Sequence, residues 1–278
     1  MPVVAVSALL LALAAAVLHA GWNLLLARER DVESATAVAL VAAAVVFAPV
    51  AALDFEVERA ALPYLLVTSI FQLLYFGLLA TAYRTAELSF VYPISRGLAP
   101  VLVLIVGALA LGQATTAAQA AGVVVIGAGV VLVRGLRGGG DARTLLLTLG
   151  IAGCIASYTL IDSYGIAYAS PITYLELSMI PATLAYVAVM LRTRGAVRLR
   201  AAVRPLPVAA GLLSFGAYAL VLAALERAPA ASVAAVRETS VLIATALAAA
   251  VLGERVSRGR LAGAVLVAAG IAALALAR

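Results

Sequence analysis

Long apolar runs set almost end to end constrain this chain more than any other feature. Residues 3–27, 35–53, 60–83, 88–111, 117–133, 144–168, 172–191, 207–225, 230–252 and 261–277 are each predominantly apolar. A helix crosses a bilayer with about 20 such residues. Only 28–34, 54–59, 134–143 and 192–206 read as loops. In hydrocarbon a spanning segment must satisfy its own backbone, which selects helix. The expected fold is an all-α integral membrane protein with ten transmembrane helices. Composition closes the alternatives: 65% of the 278 residues are hydrophobic and 12% charged, and the mean hydropathy is +1.15. That is far from a soluble enzyme or a disordered chain, and the runs lack the alternation of an outer-membrane barrel. The first run has no basic residue before it and is too apolar for too long to be a signal peptide. The one cysteine, Cys154, lies in an apolar run, so no disulfide framework or thiolate metal site is available. No Gly-rich nucleotide loop and no HExxH pair is present. No cofactor, metal or enzymatic activity is expected.

The runs contain an internal repeat. Residues 96–113 read RGLAPVLVLIVGALALGQ and residues 237–254 read RETSVLIATALAAAVLGE, an offset of 237 − 96 = 141 residues. In this register Arg96 meets Arg237, Leu111 and Gly112 meet Leu252 and Gly253, and Gln113 meets Glu254. Thr116, Gly122 and Gly129 meet Ser257, Gly263 and Gly270. The copies lie on spans four and nine. An odd separation makes the second copy enter the membrane from the opposite side, so the expected architecture is a 5+5 inverted-topology repeat, 1–138 and 139–278.

Three stretches carry a family resemblance: HAGWNLLLAR in the first span, AYRTAELSFVYPISRGLAPVLVLIVGALALGQ across spans three and four, and ERAPAASVAAVRETSVLIATALAAAVLGERVS across spans eight and nine. With the Gly-bearing spans that come after the last two, the chain resembles a drug/metabolite transporter superfamily member with two EamA-type repeats. The resemblance implies a transport function and a central cavity. It implies that spans one, three, four, six, eight and nine line that cavity, while five and ten pack outside.

All 19 basic residues are Arg. Fourteen lie after odd-numbered spans, among them Arg28, Arg30, Arg194, Arg204 and Arg258; only Arg59, Arg227 and Arg278 fall on the other face. Loops rich in Arg stay in the cytoplasm, which places both termini outside. The formal charge of +6 therefore reflects topology, and no nucleic-acid partner is expected.

A charge at mid-bilayer costs about 2.5–3.5 kcal/mol on insertion scales, so each one within a span needs a reason. Arg96, Asp162, Glu176, Arg237 and Glu238 are such charges, accompanied by His19, Trp22, Asn23, Gln72, Tyr75, Tyr92, Tyr158 and Tyr218. Counted at 1.5 Å per residue, Arg96 lies about 12 Å below the arginine-rich face and Arg237 about 10 Å below the other. This predicts two polar layers. One holds His19, Asn23, Tyr92 and Arg96; the other holds Tyr158, Asp162, Glu176, Arg237 and Glu238. Arg237 is expected to pair with Asp162 or Glu176, either as part of a site or to fix packing. Arg96, with no acid in its layer beyond Glu87, either anchors a substrate carboxylate or phosphate or caps carbonyls freed by Pro93 and Pro100. Glu238, Glu176, Asp162 and His19 are proton-coupling candidates. Trp22 reads as an interfacial anchor or a site residue. Gln72 and the four tyrosines serve either substrate contact or helix packing. The small residues Gly122 and Gly129 in span five, and Ala264, Ala268 and Ala272 in span ten, suit close contact within the chain or in a homodimer.

Together these readings predict a secondary active transporter in the plasma (inner) membrane. It would export a small metabolite or amino acid on the proton gradient, with a small-molecule substrate and the bilayer as partners, as a monomer or homodimer. The alternatives are a flippase for a lipid-linked headgroup and an exporter of small cationic drugs. A non-transporting scaffold would lack a central cavity.

Overall fold

The apolar runs form helices, the form that closes its backbone hydrogen bonds within one segment. The structure is a computed structural model and describes residues 6–85, 88–134, 141–240, 242–243, 246 and 258–276. In order the helices are α1 (Val6–Ala27), α2 (Val32–Leu53), α3 (Leu62–Thr85), α4 (Leu88–Leu109), α5 (Ala117–Arg134) and α6 (Ala142–Gly165). Next come α7 (Pro171–Arg194), the short α8 (Ala196–Ala201), α9 (Pro205–Leu225), α10 (Ala230–Arg237) and α11 (Arg258–Leu276). Local chemistry sets the starts. Asp31 and Asp141 cap α2 and α6 by accepting from the Ser34 and Thr144 amides. Pro171 and Pro205 open α7 and α9, where the missing N–H costs nothing. Tyr92 has its backbone in α4, but its side chain, the whole of Glu87 and the repeat residues 247–257 lie outside the described residues.

Among the described residues six stretches are long and apolar enough to cross a membrane: Val6–Leu26, Val32–Leu53, Arg59–Leu79, Ala142–Tyr168, Pro171–Arg194 and Pro205–Leu225. Shorter apolar stretches, Ile94–Leu109, Ala117–Leu132 and Leu261–Ile271, lie in α4, α5 and α11. Burial is inverted relative to a soluble protein. Leu10, Leu66, Leu146, Leu184 and Leu261 are exposed, whereas Arg96, Asp162, Arg237 and Glu238 are buried. An apolar exterior around a charged interior is stable only in a lipid solvent.

Packing resolves the small residues of α5 and α11. A methyl group on Gly122 would sit 3.0 Å from the Gly270 carbonyl oxygen, and one on Gly129 would sit 2.8 Å from that of Gly263. The two helices touch backbone to backbone within the chain. The contacting face of α11 is Gly263, Val267, Gly270 and Leu274. Of the alanines on α11, Ala268 is exposed and Ala264 half-buried. Within the expected span 230–252, of which 230–240, 242–243 and 246 are described, the helix is interrupted. Helix α10 ends at Arg237, and Glu238 and Thr239 form a turn whose amides donate to Ala235 and Val236. Residues 230–240 are all buried, the setting in which interrupted helix is tolerated at membrane depth.

The loops gather into two closures. On the arginine-rich face, the α1–α2 loop meets the α7–α9 connection: Glu29 pairs with Arg204, and Glu33 with Arg194. On the arginine-poor face, the α2–α3 loop meets the α6–α7 loop through backbone. The Glu58 amide donates to the Tyr168 carbonyl at 2.8 Å and the Ser170 amide to the Glu56 carbonyl at 3.0 Å, flanking a Val57–Ala169 bridge.

Candidate functional site

A cavity of about 160 Å³ lies between these closures. Helix α1 contributes Ala15, His19, Trp22 and Leu26; α3 contributes Gln72, Tyr75 and Phe76. Arg96 of α4, Tyr158 of α6 and Arg237 at the end of α10 complete its polar end, and α9 lines it from Ala210 to Val221. Helices α2 and α7 also line it, through Thr36 and Ala43 and through Leu175 and Thr183, beyond the six spans the resemblance implied. Leu26, Thr36 and Gly211 lie near the helix ends on the arginine-rich face. Leu175 and Val221, near the helix ends on the arginine-poor face, line its other end, so the cavity reaches toward both faces.

Beside the cavity the charges form one cluster, not two layers. Glu238 Oε2 lies 3.3 Å from Arg96 Nε, and Glu238 Oε1 lies 3.6 Å from Arg237 Nη2. The expectation that Arg96 lacks an acidic partner, and that Arg237 pairs with Asp162 or Glu176, is thus corrected: Glu238 serves both arginines. The depth argument explains the merger. Layers about 12 and 10 Å in from opposite faces of a core about 30 Å thick leave a gap that long arginine side chains span. The break after α10 then turns Glu238 toward both, although adjacent residues on an uninterrupted helix point apart.

His19 joins this cluster. Its Nε2 meets the Arg96 guanidinium, and the Trp22 indole N–H points at its Nδ1 at 3.2 Å. A neutral imidazole accepts at one nitrogen only, so the two donors compete for that position. Trp22 lines the cavity. Asn23 donates to the His19 carbonyl at 2.7 Å and lies outside the cavity lining.

Asp162 stands apart from the arginines. It accepts from Thr68 at 2.6 Å, Tyr174 at 3.0 Å and Tyr218 at 2.5 Å and is 0% exposed. Four helices, α3, α6, α7 and α9, meet at this carboxylate. Tyr158 and Tyr218 line the cavity with their rings 5.9 Å apart, and Tyr75 lies 6.2 Å from Tyr158. Glu176 is buried away from the cavity, and its Oε2 has no hydrogen bond among the described residues. Sequence reasoning missed Thr68, Tyr174 and Ser214. Thr68 is four residues before Gln72 and Ser214 four before Tyr218, a spacing that puts each pair on one helix face. Tyr174 carried no such signal.

Outside the membrane, two carboxylates titrate away from their usual range. Burial pushes the Asp31 carboxyl up. The Ser34 hydrogen bonds and the Arg194 and Arg198 charges together outweigh it and hold the group below the ordinary carboxylate range. At Asp141 the Thr144 amide and hydroxyl do the same.

Against known families, the chain matches the EamA-like transporter family model twice, over residues 6–135 and 142–276. Among solved structures, one crystal structure superposes with a TM-score of 0.78 at 17% identity, covering 98% of this chain and 99% of that one. At that identity the likeness speaks for the fold alone. No curated protein matches.

Proposed function

The chain belongs to the EamA-like transporter family and is a multi-pass membrane protein; on that premise we propose that it is a secondary active transporter exporting a small metabolite across the plasma (inner) membrane. In this reading ten spans form two inverted five-helix repeats, 1–138 and 139–278, with the arginine-rich face in the cytoplasm. The central cavity takes substrate from that face. Glu238, held between Arg96 and Arg237, couples transport to protons. The observation that carries the reading is the buried Arg96–Glu238–Arg237 cluster beside a central cavity. Ionisable groups at that depth are costly, and where they occur they commonly mark a substrate or ion path.

The test is flux from proteoliposomes loaded with a labelled mixture of small metabolites. Saturable release above that of empty vesicles is expected. Ser214→Trp, which fills the cavity without removing a charge, abolishes it, and Glu238→Gln removes its dependence on an imposed pH gradient. Equal release from vesicles with and without protein sinks the transport reading. A retained pH dependence in Glu238→Gln sinks the coupling.

A further inference from the structure

We propose that the cavity selects a small organic anion with an apolar body and no amine, anchored by its acidic head on Arg237 and Arg96. The inference deepens the transport reading and rests on it. Charge is the first argument. The charged side chains that line the cavity among the described residues are Arg96 and Arg237, and no Asp or Glu joins them. Among the described residues Glu238 is the carboxylate at ion-pair distance from the two, and at 3.6 Å from Arg237 Nη2 it leaves that guanidinium open to a second acidic partner. Asp162 accepts from three hydroxyls outside the lining and makes no ion pair with either arginine among the described residues.

Unmet hydrogen bonding is the second argument. Arg237 is 3% exposed, yet its Nε and Nη2 have no hydrogen-bond acceptor among the described residues; Glu238 sits at ion-pair distance only. Those two N–H groups are the fork that a carboxylate fills in bidentate fashion. An ammonium group would instead face two guanidinium groups and no lining carboxylate. Gln72 Oε1, also buried and without a partner among the described residues, offers one neutral acceptor, suited to a substrate hydroxyl.

The remaining wall is apolar. Tyr75, Phe76, Tyr158 and Phe215 present rings, and Ala39 and Ala43 present methyl groups. The Tyr218 hydroxyl is committed to Asp162. An apolar body is thus favoured by burial, and a second charge on it is not.

The chain has a single tryptophan, and Trp22 lines the cavity, so its emission reports occupancy in the full-length protein. Purified protein is titrated with four compounds of one body and different heads: phenylpropanoate, phenylalanine, phenylpropylamine and phenylpropanol. Hexanoate repeats the anionic head on an aliphatic body. Both carboxylates are expected to give a saturable emission change and a raised Tm, and to bind at least about ten-fold more tightly than phenylalanine or the amine. Arg237→Gln lowers carboxylate affinity about ten-fold, and Arg237→Lys, which keeps the charge without the fork, restores only part of it. Should Arg237→Gln not fold, the order of heads on the unaltered protein still decides. Phenylalanine or the amine binding as tightly as the carboxylates overturns the inference, as does the absence of a response to either carboxylate. The intact order of heads without liposome flux supports this selectivity and fails the transport reading; flux of the amine ahead of the carboxylates does the reverse.

Discussion

The two closures do the same job with different chemistry. On the arginine-rich face the α1–α2 loop is tied to the α7–α9 connection by side-chain ion pairs, Glu29 with Arg204 and Glu33 with Arg194. On the arginine-poor face the α6–α7 loop is tied to the α2–α3 loop by backbone hydrogen bonds. The Ser170 hydroxyl adds a bond to the Asp54 carbonyl at 2.8 Å, and the Tyr64 and Tyr168 rings stack at 5.8 Å. Under the proposed inverted repeat the two are equivalent positions, since α1–α2 corresponds to α6–α7. The partly exposed Glu33–Arg194 pair is weak and screened by salt, whereas Glu29 is buried beneath Arg204 and is screened less. A short bridged ladder depends on shape and is nearly indifferent to salt. One closure is therefore soft and tunable, and the other is geometric and reinforced beneath by the Asp162 cage.

The largest expected effect breaks the reinforced side. Asp162→Ala leaves three buried hydroxyls without their acceptor and should cost about 4 kcal/mol, read as a lower Tm of the detergent-solubilised protein; an unchanged Tm refutes the cage as an anchor. Next comes Ser170→Pro. Ser170 already has φ −64°, and Ala169 before it is extended, so a proline ring fits without strain. The substitution removes the amide bond to Glu56 and the hydroxyl bond to Asp54, about 2 kcal/mol together. Faster amide exchange confined to 56–58 and 168–170 is the expected signature, and exchange spread over the whole chain would contradict a local closure. On the other face, Glu33→Gln should cost about 1 kcal/mol at low salt and almost nothing at high salt. Equal salt sensitivity of Ser170→Pro would erase the contrast between the closures. The smallest effect is Asp31→Ala, about 0.5 kcal/mol through the lost cap of α2. Because the Asp31 carboxyl titrates below its ordinary range in the folded chain, its contribution is present above about pH 4. It is lost as pH falls through the lowered value, so the variant and the parent should converge in acid.

The helices were legible because hydrocarbon leaves a spanning segment no other way to satisfy its backbone. Their starts could be read from Asp31, Asp141, Pro171 and Pro205. The site was legible in part. Charges inside apolar runs drew attention to Arg96, Asp162, Arg237 and Glu238, and all four are buried. Their partners were not legible. Counting rise per residue treats 230–252 as one rod, and a rod cannot turn Glu238 toward Arg96 and Arg237 at once. The turn at Glu238 and Thr239 changes that direction, and nothing in RETS announces a turn. Asp162 looked like a partner for Arg237 because opposite charges were matched without hydroxyls, whereas Thr68, Tyr174 and Tyr218 satisfy it first. Trp22 resembled an interface anchor by depth alone; the direction it faces depends on which helices stand beside α1.

By itself the sequence determined the properties that a lipid solvent imposes on one chain: membrane residence, helical spans, the sidedness of the arginines and the cost of every charge left inside. Each depends on local composition and on a count of residues. The tertiary structure decided which charges meet, that Glu238 answers two arginines while Asp162 answers none, and that one closure is ionic and the other backbone. These depend on how distant helices face one another, and no periodicity within a single helix encodes the neighbour it will find.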